Sequence, residues 1–89
     1  MTARWSLARH VTLSPAEGGA VLLDARKRRY WQLNASGAQI VEYLQEGRSQ
    51  QDAADALSEE SGETVERAAA DVAALVETLR SSRLIVKRK

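Results

Sequence analysis

The sequence has no cysteine, a single histidine, and only four aromatic residues, two Trp and two Tyr, among its 89 positions. Without thiols it can form neither a disulfide nor a thiolate metal site. A lone His10 in an extended segment is the pattern of a surface or satisfied core residue, not of a ligand or base. No glycine-rich phosphate loop, no metal-spaced cluster of ligands and no nucleophile constellation occurs. The carboxylates fall on helix surfaces, where water solvates them. The reading is therefore no catalytic residue, no metal site, no cofactor and no enzyme. The apolar runs are far too short to span a bilayer, and the first ten residues, MTARWSLARH, lack the apolar core of a signal peptide. A cytoplasmic protein without membrane contact is expected.

A chain of this length makes one small domain, residues 1–89, burying about 60–65% of the surface its unfolded form exposes. That leaves room for one core and suits a binding module. Charge is nearly balanced at +1 but segregated. Residues 1–34 carry six Lys/Arg against two Asp/Glu, residues 35–82 three against ten, and residues 83–89 four against none. One end is basic and the middle acidic.

Ala8 to Leu13 alternates loosely as a half-buried strand does, and Pro15 to Gly19 supplies a turn. Ala20 to Leu23 is a short apolar run that suits a second strand, and Arg26, Lys27 and Arg28 form the next turn. Arg29-Tyr30-Trp31-Gln32-Leu33 then reads as a third strand running into Asn34, which can cap a helix over Ala35–Glu46 that Gly47 ends. Ser49 starts a short helix offering Ala53, Ala56 and Leu57 as its apolar face, ended by Gly62. Thr64 caps the longest helix, Val65 to about Ser81, whose Val65, Ala68, Ala69, Val72, Leu75, Val76 and Leu79 fall on one wide face. Ala70, Ala73 and Ala74 make a second face of small residues that another backbone could approach. Leu84-Ile85-Val86 is a terminal apolar run, a candidate short strand, before the basic tail Lys87-Arg88-Lys89. The fold class is α+β, a three-stranded antiparallel sheet followed by three helices, winged helix-turn-helix-like.

Val21-Leu22-Leu23-Asp24, the run Arg29 to Asn34 with Gly37 after it, Ile40 and Leu44 before Gly47, and Asp71-Val72 with Leu75 and Leu79 ahead of Leu84-Ile85 together resemble the PqqD family. The likeness spans roughly residues 10 to 86. It implies a RiPP recognition element, a domain that binds the leader segment of a ribosomally made precursor peptide. A separate chain of this length is most similar to the leader-binding component of lasso-peptide biosynthesis, whose partner is a transglutaminase-like cysteine protease. A peptide chaperone for a radical SAM enzyme is the related alternative. In such domains the leader adds to the third strand and lies against the third helix. Family members often carry Gly where this chain has Arg28 and Arg83.

The residues fit that expectation. A strand at a sheet edge offers unpaired N–H and C=O groups to a peptide, and alternating pockets give it specificity. The candidate peptide-binding residues are Arg29, Tyr30, Trp31, Gln32 and Leu33 on the strand and Asp71, Val72, Leu75, Val76 and Leu79 on the long helix. Val72, Leu75 and Val76 are the groove-facing part of the apolar stripe, Val72 and Val76 foremost. Tyr30 and Trp31 point to opposite faces, and only one of them can fill core. Asp71 stands four residues from Arg67, the spacing of a solvated helix pair, and can alternatively meet a cationic leader. The Arg26–Arg29 run reads as a solvated turn that discourages edge pairing between copies, or as a dock for an acidic surface. Nucleic-acid binding is the rival a winged helix brings. Glu59, Glu60, Glu63, Glu66, Asp71 and Glu77 give the helices the wrong sign for it. Dimerisation through the long helix is a third possibility.

Overall fold

A computed structural model describes residues 3–88. Met1, Thr2 and Lys89 lie outside it, and with them the last residue of the basic tail. The order is β1 (Trp5–Leu7), β2 (Val11–Ala16), β3 (Gly19–Asp24), β4 (Arg29–Asn34), α1 (Ala35–Gln45), α2 (Gln50–Ser61), α3 (Val65–Ser81) and β5 (Ile85–Lys87). β2, β3 and β4 form an antiparallel sheet in that spatial order, the three strands expected from sequence.

The helix starts follow from side-chain capping. Asn34, Ser49 and Thr64 each accept the backbone N–H three residues on, from Gly37, Asp52 and Arg67 respectively. Each satisfies one of the donors a helix start leaves orphaned, a contribution of about 1 kcal/mol. Gly62 closes α2 in the left-handed conformation at φ +79°.

The strands depart from expectation in two places. β2 begins at Val11 and continues through Pro15 and Ala16, which pair with Ala20 and Gly19. An edge strand leaves half its N–H groups unpaired, so a proline interrupts nothing there. The turn shrinks to Glu17-Gly18. Gly19 stands where a Cβ would lie 1.9 Å from the Leu33 carbonyl oxygen, so β3 can lie this close to β4 only with glycine. The second departure is β1, which the sequence reading left unstructured. It pairs antiparallel with β5, Trp5 opposite Lys87, and the Trp5 indole N–H donates to Gln50 Oε1 at 3.1 Å.

One core holds the elements together. Leu22 of β3, Val41 and Leu44 of α1, Val72 and Leu79 of α3 and Leu84 before β5 are its largest fully buried side chains. Burying each contributes about 1.5–3 kcal/mol. α2 lies along α3 and buries Ala53, Ala54 and Leu57, with Ala56 at the margin. No described helix is long and apolar enough to cross a membrane.

Candidate functional site

Because the sheet order is β2-β3-β4, one side of β4 pairs with β3 and the other pairs with no strand among the described residues. The register sets Trp31 beside Leu22 and Tyr30 beside Leu23. Leu22 is buried and Leu23 is exposed, so the row through Leu13, Leu22 and Trp31 faces the core while Thr12, Leu23 and Tyr30 face outward. Trp31 is half-buried against the core and Tyr30 is 68% exposed. Leu33, like Trp31, is half-buried against the core, whereas Arg29 and Gln32 are exposed.

Where β4 runs into α1, an opening of about 430 Å³ separates that junction from α3. Asn34, Gly37 and Ile40 line one wall and Asp71, Ala74, Leu75 and Thr78 the other. The α3 residues follow i, i+3, i+4, i+7 spacing and so form a single stripe. At 3.6 residues per turn this stripe lies about 100° around the axis from the core stripe of Ala68, Val72, Val76 and Leu79.

That rotation divides the helix residues expected to meet the peptide into two stripes. Val72, Val76 and Leu79 are 0%, 5% and 0% exposed and belong to the core, so they offer no open surface in this structure. Leu75 alone of the expected apolar set is half-buried and lines the opening, beside Asp71. Asp71 makes no ion pair with Arg67 among the described residues, and its carboxylate is exposed. Val65 is exposed at the start of the helix. Asn34, Gly37, Ile40, Ala74 and Thr78 were not named as site residues. Asn34 carried the signal of a helix cap, and Gly37 and Ile40 that of the apolar stripe of α1. Ala74 had been marked only as part of a face that another backbone could approach. A Cβ at Gly37 would stand 3.1 Å from Asn34 Oδ1, so glycine keeps both the cap and this wall of the opening free.

The β3–β4 turn is built on Asp24, whose Oδ1 accepts the N–H groups of Arg26 and Lys27 at 3.0 and 3.1 Å and lies 3.7 Å from His10 Nε2. Burial works to raise its pKa. The Lys27 N–H, the His10 charge, the Arg26 N–H and the Lys27 charge together outweigh burial and hold the carboxyl below its ordinary value. Arg28 ends the turn in the left-handed region at φ +55°, and Arg83 does the same after α3 at +62°. At both positions the backbone takes the conformation that favours glycine. Among the described residues no group of three His, Asp or Glu is placed to hold a metal ion.

The sequence pattern of the family described as Coenzyme PQQ synthesis protein D (PqqD) matches residues 19–85. Among curated proteins none matches the chain. A solved lasso peptide synthetase B1 complexed with the leader peptide is 36% identical, with a TM-score of 0.86 over 94% of this chain and 99% of that one. TbiB1 in complex with the TbiA(beta) leader peptide is 22% identical, with a TM-score of 0.83 over 90% of this chain and 93% of that one. At that identity the second likeness speaks for the fold.

Proposed function

The chain belongs to the PqqD family, and from that premise we propose that it is a single leader-binding domain, residues 1–89, of lasso-peptide biosynthesis. The observation that carries this is an unpaired β4 edge that runs into an opening walled by α3, in a chain 36% identical to a lasso peptide synthetase B1 complexed with the leader peptide. An incoming strand would pair its backbone with Arg29 to Leu33 and place an apolar side chain on Ile40 and Leu75. Asp71 would meet a cationic or hydroxyl group of the peptide. Val72, Val76 and Leu79 would then act from beneath, holding the helix wall in place. The domain is a non-catalytic cytoplasmic carrier that hands the leader to a transglutaminase-like cysteine protease of the same pathway.

A second reading keeps the chain in the role its family is described by, coenzyme PQQ synthesis, as a chaperone that presents its peptide to a radical SAM enzyme. Neighbouring genes separate the two. The binding test is fluorescence anisotropy of the labelled leader segment with the purified protein and no added metal or cofactor. Saturable one-to-one binding is expected; a linear, non-saturating response would refute it. Delivery is tested by adding the cysteine protease to full-length precursor, with cleavage expected to accelerate only when this chain is present.

A further inference from the structure

The outward face of the sheet is not used by the reading above. Thr12, Leu23 and Tyr30 form one cross-strand row on it, and Leu23 and Tyr30 are among the few large apolar side chains left exposed. An opening of about 420 Å³ lies over this row, lined also by Arg9, Arg28 and Arg29. The one carboxylate in that lining, Asp24, is buried and spent on the N–H groups of Arg26 and Lys27. None of the three arginines is in an ion pair among the described residues. The result is an apolar centre ringed by uncompensated positive charge. Arg28 adds a second sign, because its left-handed backbone at φ +55° is strained for a residue with a side chain and not for glycine. The turn keeps an arginine at the rim despite that strain.

We propose that this face is a second docking surface, and that its occupant is an acidic protein surface presenting an apolar or aromatic side chain between carboxylates. The partner this assigns is the processing enzyme that receives the leader, so the inference rests on the leader-binding reading. Charge complementarity selects the occupant. A nucleic-acid duplex is a poorer fit, since the phosphates it would set against the arginines bring no apolar side chain to cover Leu23. A compact acidic patch feels mainly the arginine rim, because ordinary salt screens charges beyond about 8–10 Å. The two openings share no lining residue, so leader and enzyme can be held at once. β4 links them: its backbone edge serves the peptide while the Tyr30 side chain serves the enzyme.

The test uses the full chain, the labelled leader segment and the purified cysteine protease encoded with the precursor, with biolayer interferometry for the protease and anisotropy for the leader. The variants are Leu23→Ser, Arg9→Glu combined with Arg28→Glu, and Arg28→Gly. All three should bind leader within about twofold of wild type. The first two should weaken association with the protease at least tenfold. Arg28→Gly should weaken it several-fold while leaving the melting temperature unchanged or raised, so its loss cannot come from misfolding. Wild-type protein that binds leader but not the protease overturns the inference, as does protease association unchanged in Leu23→Ser and the double variant. Retention of a 20-base-pair DNA duplex that disappears in the double variant, with protease association intact, makes this a polyanion face and also overturns it. Failure of the wild type to bind leader instead overturns the reading on which it rests.

Discussion

Replacing Leu75 and Val72 separately by alanine divides the groove from the core. Leu75→Ala removes about three carbon groups, worth roughly 0.8 kcal/mol each when fully buried. Leu75 is only half-buried, so about 1 kcal/mol should be lost from folding and about 1–1.5 kcal/mol from peptide docking, when the remaining surface is covered. That is about a tenfold weaker leader. The folding loss should lower the melting temperature by about 4–8 °C in a domain of this size. Val72→Ala removes two methyl groups from a site with 0% exposure and leaves a cavity, so about 2–3 kcal/mol and roughly twice that temperature shift are expected. Its leader affinity, measured where it is still fully folded, should stay within about threefold. Differential scanning calorimetry and anisotropy titration at 20 °C read both quantities. A Leu75→Ala protein with undiminished affinity, or a folded Val72→Ala protein that loses more affinity than Leu75→Ala, would refute the division of α3 into two stripes.

Strand addition to β4 should slow hydrogen exchange at those amides between Arg29 and Leu33 that point away from β3, since they gain a partner only when leader is present; protection changes confined to α2 would put the peptide elsewhere. Leader affinity should change by less than about tenfold between 50 and 200 mM salt, because backbone pairing and apolar contact outweigh screened surface charge, and a titration series showing a steeper fall would count against it. Asp24 has a folded pKa below its unfolded value, so its stabilising effect is complete above about pH 4 and drains away as pH falls through the depressed value. The stability gap between wild type and Asp24→Asn in urea should therefore be wide at pH 7 and narrow at pH 3; an equal gap at both would contradict the sign. Asn34→Ala should cost about 1 kcal/mol of stability through the lost cap, and retention of the full melting temperature would show that the Gly37 N–H finds another acceptor.

Local chemistry made much of this fold readable before any coordinates. Asn34, Ser49 and Thr64 announce helix starts because a capping hydrogen bond spans only three residues, and the structure uses all three. The three sheet strands were equally visible, since Leu22 and Leu23 or Tyr30 and Trp31 alternate between faces within a hairpin. β5 was legible as a terminal apolar run, but β1 and its pairing with β5 were not. Three-residue strands are too short to show a period, and Trp5 finds Lys87 across nearly the whole chain. The helix side of the groove was half readable for a different reason. Periodicity finds the apolar stripe of α3, but whether Val72 or Leu75 remains open depends on where α2 lies, and that is set by tertiary packing.

The same packing explains how so small a chain can keep a groove open at all. The walls of the opening come from two parts of the molecule, the β4–α1 junction and α3. The first is fixed by the sheet and by the Asn34 cap. The second is braced along its length by α2 and beyond its end by β5, which β1 ties back to the start of α2 through the Trp5 side chain and the Ala3 carbonyl, the acceptor of the Gln50 N–H. α1 joins the two parts, since Ile40 lines the opening while Val41 and Leu44 enter the common core. Separation of the walls therefore depends on buried residues that no peptide needs to touch. A strand entering between walls already held apart loses its own conformational freedom but little of the protein's, which is the condition under which backbone pairing along one edge yields useful affinity.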